Sequence, residues 1–327
     1  MGAMGEFDLI AALRARLPDA KPPVVLGLGD DAAITAPEGA TATSVDAIVD
    51  GVHFRRESTP LDAIGRRALA TALSDLAAMG AAPGEAYIVL GVPPDLDEAG
   101  CLELFEGTRA LAEQTGTALA GGDVSRSAVL FVAMTVVGHA ADADSLVTRA
   151  GAEGEDVVAV TGELGGAAAA LLLDDGAGEE LAEEIARGLR DRQLDPTPRL
   201  AEGRALADAG ASAMIDISDG LGADAGHIAE QSGVELQIDL ARLPIQAGVA
   251  EVAAASGFDP LELAAGGGED YELLACLPPA VLDPASSAVA EAGGTLTAIG
   301  RCIPGEGVKL SAPSGPELRV RGYDQLT

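Results

Sequence analysis

Helix signals and strand signals alternate along this chain in two successive series, and no other feature limits its possible folds so tightly. In the first series, helical apolar spacing over residues 7–17 is broken by Pro22-Pro23, and a short strand at 24–28 runs into Gly29-Asp30-Asp31. A β-rich segment at 41–49 carries Ser44 and Asp46 and leads to Gly51-Val52-His53-Phe54. Residues 61–79 then place Ile64, Ala68, Leu69, Ala72, Leu73 and Leu76 at helical spacing, with Ser74 and Asp75 embedded among them. A strand at 86–91, a helix at 96–114, a strand ending at Gly121-Gly122-Asp123 and a strand at 129–138 complete the series.

A polar, glycine-containing crossing at 146–156 opens the second series with a strand at 157–160. Its turn, Thr161-Gly162-Glu163-Leu164-Gly165-Gly166, has Leu164 where a dinucleotide fingerprint needs its second glycine, so it reads as a tight strand-to-helix connection. The charged stretch 174–195 reads as solvated surface, and Pro196 and Pro198 introduce a helix at 199–209. A strand at 213–217 enters Ser218-Asp219-Gly220 and a helix at 221–231, and strands at 235–238, 271–277 and 296–299 follow. This order specifies an α/β (α+β) chain. Its 327 residues exceed what one core usually supports, which predicts two domains, residues 1–148 and 149–327.

Charge then narrows function. The 20 Lys and Arg against 52 Asp and Glu give a net charge of −32, which removes the basic surface that nucleic acid or anionic lipid would need. Only two lysines exist, Lys21 and Lys309, so neither a P-loop nor a kinase-type strand lysine can be assembled. Phosphate would have to be held by arginine, backbone N–H groups, or a metal carried on carboxylates. The three cysteines lie far apart and read as buried small side chains, and His53, His139 and His227 lack zinc-site spacing. No apolar run reaches membrane-span length and the N-terminus has no signal-peptide pattern, so a cytoplasmic protein is expected.

Acids recur where strands end beside glycine or serine: Asp30, Asp46, Asp123, Asp216, Asp219 and Glu269. Glycine lets the backbone approach a ligand, and a carboxylate on such a loop is a hard oxygen donor suited to Mg²⁺ and its bound phosphates. Any single Asp-Gly pair is ordinarily a turn. The repetition points instead to metal plus phosphate, and Asp75, an acid on an apolar helix, calls for a partner or a metal.

The ordered set of motifs resembles the thiamine-monophosphate kinases, within the aminoimidazole ribonucleotide synthetase superfamily. The set is Gly29-Asp30-Asp31-Ala32-Ala33, Ser44-Val45-Asp46, Gly51-Val52-His53-Phe54, Ser74-Asp75-Leu76-Ala77-Ala78-Met79-Gly80, Gly121-Gly122-Asp123, Thr148-Arg149, Asp216-Ile217-Ser218-Asp219-Gly220 and Gly268-Glu269-Asp270-Tyr271-Glu272-Leu273. The resemblance implies a two-domain fold of that superfamily, an N-terminal mixed sheet with helices and a C-terminal α/β domain, and a homodimer formed through the N-terminal sheets. It implies Mg²⁺ ligands at Asp30, Ser44, Val45, Asp46, Asp75, Asp123, Asp216 and Asp219, with Val45 contributing only its backbone carbonyl. ATP would meet Gly122, Asp123, Arg149 and Ser218, and thiamine monophosphate would meet His53, Glu269 and Tyr323. The implied reaction is direct transfer of the ATP γ-phosphoryl group to thiamine monophosphate, with no covalent enzyme nucleophile. A selenophosphate synthetase or hydrogenase-maturation enzyme would be expected to carry a terminal cysteine absent from residues 1–21 and 323–327. A non-enzymatic acidic metal-binding protein is the remaining alternative.

Overall fold

The computed structural model describes residues 6–17, 21–27, 33–174, 176–177 and 181–312. The chain divides into two compact units: Met1–Leu76 with Ala81–Ala143, and Ala77–Gly80 with Asp144–Thr327.

The first unit holds α1 (Glu6–Arg14), β1 (Val24–Leu26), β2 (Ile34–Thr35), β3 (Ala40–Val49), α2 (Leu61–Ala78), β4 (Ala82–Val92), α3 (Glu98–Thr115), β5 (Ala118–Arg126) and β6 (Phe131–Ala140), with the last residues of α2 assigned to the second unit. Its main sheet runs β3-β6-β4-β5, antiparallel except for the parallel β4–β5 pair. The alternation in β6 explains the layering: Val132, Met134, Val136, Gly138 and Ala140 are buried, and the residues between them are half-buried. The helices pack closely. A Cβ on Gly65 of α2 would lie 1.8 Å from the Leu104 carbonyl oxygen of α3, and Thr108 Oγ1 donates to the Gly65 carbonyl at 2.9 Å. Asp97 caps α3 by accepting from Gly100 N–H, and Gly116 ends it in a left-handed conformation.

The second unit holds β7 (Val157–Thr161), α4 (Gly166–Asp174), α5 (Glu183–Leu194), α6 (Leu200–Ala209), β8 (Ala213–Asp216), α7 (Leu221–Ser232), β9 (Val234–Asp239), α8 (Val249–Ser256), α9 (Pro260–Gly266), β10 (Leu273–Leu277), α10 (Leu282–Glu291), β11 (Leu296–Pro304) and β12 (Gly307–Ser311). Its sheet runs β12-β9-β11-β7-β10-β8, with only the β12–β9 pair parallel. Both faces are covered, so β10 reads as the unbroken apolar run Leu-Leu-Ala-Cys-Leu and is buried throughout. On one face Val158, Val160, Ile215, Leu274 and Ile299 pack with Leu221, Ala225 and Ile228 of α7. On the other, Ala159, Met214, Leu273, Ala275 and Leu277 pack with Leu206 of α6 and Ala285 and Val289 of α10.

Cys276 and Cys302 bring their sulfurs to 3.6 Å, yet β7 lies between their strands. Two strand spacings of about 4.8 Å put their Cα atoms beyond the roughly 7 Å reach of a disulfide, so they serve as core side chains.

Two sequence expectations need correction here. Residues 271–277 do not form one strand: β10 begins at Leu273, because Tyr271 has a left-handed backbone with φ 50°. The stretch 174–195 is not all solvated surface, since Arg192 keeps only 14% of its side chain exposed and reaches the buried Glu272.

Candidate functional site

In the first unit the candidates stand on β3, α2 and β5. Side chains of β3 alternate, so Val45 is 69% exposed while Ser44 and Asp46 are half-buried on the opposite face with Ala42 and Ile48. That face turns Ser44 toward α2, where its hydroxyl donates to Asp75 Oδ2. Two residues 31 positions apart are thereby joined, and the polar group on the apolar helix has its partner. Asp46 Oδ1 accepts from Ala47 N–H at 2.7 Å. On β5, Asp123 is exposed and accepts from Ser125 Oγ at 2.9 Å. Gly122 cannot carry a side chain, since a Cβ would lie 2.0 Å from the Ile88 carbonyl oxygen. His53 Nδ1 accepts from Val49 N–H at 3.1 Å, which places the proton of the neutral ring on Nε2.

In the second unit Asp216 ends β8 and is buried, while Ser218 and Asp219 are half-buried in the turn before α7. Asp224, in the first turn of α7, holds that turn: its Oδ2 accepts from Ser218 N–H at 3.0 Å and Asp219 N–H at 3.1 Å. Burial first, then the charges of Asp216 and Asp219, push the Asp224 carboxyl up to about 7. The Glu269 turn lies directly against this loop. Glu269 N–H donates to the Ser218 carbonyl at 2.8 Å, Tyr271 N–H donates to the Ile217 carbonyl at 2.9 Å, and a Cβ on Gly268 would lie 2.4 Å from the Ser218 oxygen.

Glu269 and Tyr271 have φ values of 68° and 50°, a region that costs a non-glycine residue on the order of 1 kcal/mol or more. Behind this turn, the fully buried Asp270 accepts from Gly165 N–H at 2.7 Å and Ala167 N–H at 3.4 Å. Burial pushes its carboxyl up to about 7, against the pull of Arg192 and those two N–H groups. Glu272 accepts from Arg199 at 2.8 and 2.6 Å, from Thr161 Oγ1 at 2.6 Å, and from Arg192. Burial alone would raise its carboxyl, but Arg192 and Arg199 outweigh it and hold the carboxyl below the ordinary glutamate range. Gly162 must stay bare beside it, because a Cβ there would lie 2.1 Å from Glu272 Oε1.

Arg149 has its carbonyl held by Ser232 Oγ at 3.1 Å, and its guanidinium makes no ion pair among the described residues. Asp30 and Tyr323 lie outside the described residues.

Among the described residues, no three His, Cys, Asp or Glu side chains are grouped closely enough to hold a metal by themselves. The donors in each unit are carboxylates, hydroxyls and backbone carbonyls. That hard-oxygen set fits Mg²⁺, which completes its shell with water and substrate phosphates rather than with an all-protein cage.

The sequence also matches two family models: AIR synthase related protein, N-terminal domain, over residues 29–140, and AIR synthase related protein, C-terminal domain, over residues 153–312. These define the class, a two-domain AIR synthase-related protein. Within that class the chain belongs to the thiamine-monophosphate kinase family. A thiamine-monophosphate kinase of Escherichia coli K12 is 36% identical over 329 residues, spanning 99% of each chain. One from Mycobacterium tuberculosis H37Rv is 40% identical over 277 residues, spanning 84% of this chain and 80% of the relative. The solved structure of AaThiL complexed with AMPPCP and TMP superposes with a TM-score of 0.76 at 30% identity, covering 98% of this chain and 96% of that one.

Reading the sequence did not single out Asp224, Asp270, Glu272, Arg192 or Arg199. The one signal for Asp270 and Glu272 was the run Glu269-Asp270-Tyr271-Glu272, whose acids do not all face the same way once the turn is formed.

Proposed function

We infer that this chain is a thiamine-monophosphate kinase that transfers the γ-phosphoryl group of ATP to thiamine monophosphate, giving thiamine diphosphate and ADP. The observation that carries this reading is the 36% identity to a kinase of that name along 99% of both chains. The chemistry of the reaction agrees with it. A phosphate oxygen of thiamine monophosphate attacks the γ-phosphorus in line, a new P–O bond forms, and the bond to the β,γ-bridging oxygen breaks with its electron pair leaving on ADP. The nucleophile is already ionised, so no general base is required.

We assign the ligand contacts as follows. Ser44, Val45 through its carbonyl, Asp46, Asp75 and Asp123 in the first unit, with Asp30 beyond the described residues, and Asp216 and Asp219 in the second, are the residues that would hold Mg²⁺. Bound there, Mg²⁺ supplies the neutralisation that lets anionic phosphates sit beside carboxylates. Gly122 allows close backbone approach of ATP, Asp123 and Ser218 meet its polar groups, and Arg149 offers its guanidinium, which makes no ion pair among the described residues, to its phosphates. His53 and Glu269 face the acceptor, Glu269 by charge complementarity to the thiazolium, and Tyr323 contributes its aromatic ring. The functional division is 1–148, carrying metal, ATP and dimerisation elements, and 149–327, carrying nucleotide and acceptor elements. The dimer uses the outer face of the first-unit sheet, which leaves Val45 69% and Val89 36% exposed. No helix among the described residues is long and apolar enough to cross a membrane. A kinase that draws on ATP is placed in the cytoplasm.

Incubation with ATP and Mg²⁺ tests the reaction. Thiamine diphosphate should form from thiamine monophosphate and not from free thiamine, because an uncharged hydroxyl is a poor nucleophile and gives the metals little to bind. Equal rates of ADP release with the two acceptors would overturn the reading.

A further inference from the structure

The Glu269–Tyr271 turn is held in a conformation that its own residues disfavour, so something outside it must keep it there. The acid at its centre and the acid that follows it do this from the interior. Asp270 is tied to the backbone N–H groups of Gly165 and Ala167, where the chain enters α4. Glu272 is tied to Arg192, Arg199 and Thr161, and Thr161 Oγ1 in turn accepts from Leu273 N–H at 2.8 Å, fixing the first residue of β10. Neither acid is exposed enough to touch a ligand: Asp270 is 2% and Glu272 0% accessible. Glu269, between these restraints and the Ser218 carbonyl, is half-buried.

We propose that Asp270 and Glu272 are positioning residues for phosphoryl transfer, holding the left-handed turn so that the Glu269 carboxylate meets the cationic acceptor in a single orientation. This rests on Glu269 being an acceptor contact, as assigned above. Burial of two acids for stability alone would affect melting and the active fraction. Positioning shows instead in the KM for the acceptor, since the groups moved are those that orient it.

The test uses the full chain with ATP, Mg²⁺ and thiamine monophosphate, and compares Asp270→Asn, Thr161→Val, Thr161→Ser and Glu269→Ala. Thr161→Val keeps the volume and removes both hydrogen bonds without unpairing a buried charge, so it reports even if Asp270→Asn fails to fold. The expected result is an acceptor KM raised about tenfold in Asp270→Asn and Thr161→Val, an ATP KM within about twofold of the parent, and near-parent values in Thr161→Ser. If Glu269→Ala raises the acceptor KM while Asp270→Asn and Thr161→Val change only the melting temperature, the positioning role is wrong and the Glu269 assignment stands. If Glu269→Ala leaves the acceptor KM unchanged, both fall.

Discussion

Asp75 shows how one residue can have two obligations. Its position between Leu73 and Leu76 on α2 leaves it half-buried, and the hydrogen bond from Ser44 satisfies it without neutralising it. Asp123 reaches the same condition by a different route, exposed on β5 with one oxygen occupied by Ser125. Asp75→Asn and Asp123→Asn should fold normally and lose at least about a hundredfold in turnover, since an amide does not replace an anionic oxygen ligand at Mg²⁺. Circular dichroism with kcat at saturating Mg²⁺ checks this, and unchanged circular dichroism with near-parent turnover would refute it.

At the scale of elements, the ion cluster around Glu272 joins β7, α5 and the residue that opens α6 to the start of β10. Glu272 has a depressed folded pKa, so its stabilising contribution is complete above the ordinary glutamate value of about 4.5 and is lost as pH falls through the lower folded value. Glu272→Gln leaves Arg192 without its carboxylate and Arg199 with Glu202 as its remaining one, and should cost about 3 kcal/mol at pH 7. The gap between parent and variant in urea unfolding should narrow as pH drops from 7 toward 3. A gap that stays constant or widens would show that the carboxylate is not the source. The same region explains what was legible in the sequence. Long elements such as α2, α3, β3 and β6 announce themselves by period, and β10 by its apolar run, whereas α8, α9, α10 and β12 are short or alanine-rich and carry little periodic signal. The acidic loops were readable as loops because glycine marks them. The Ser44–Asp75 pairing and the grip of Arg192 on Glu272 join distant segments, and nothing local in either segment states the partner. The left-handed turn at Tyr271 was invisible for the opposite reason: tyrosine before glutamate and leucine looks like the start of a strand.

For the molecule as a whole the governing quantity is a net charge of −32 on 327 residues. Self-repulsion of that size opposes compaction and is screened by salt, with the Debye length falling from about 30 Å at 0.01 M to about 10 Å at 0.1 M. Raising NaCl across that range should therefore move the urea midpoint upward, and a midpoint that falls would mean that the attractive pairs outweigh the repulsion. Substitutions in such a chain are not interchangeable between sites, and Gly162 shows why. Because the space a side chain would need at 162 is occupied by the Glu272 carboxylate, the effect of changing one position depends on what stands at the other. The pair forms an epistatic unit: shortening position 272 lifts the clash at 162 but not the strain of its left-handed backbone, φ 54°, so a side chain at 162 does less damage when the change at 272 comes first.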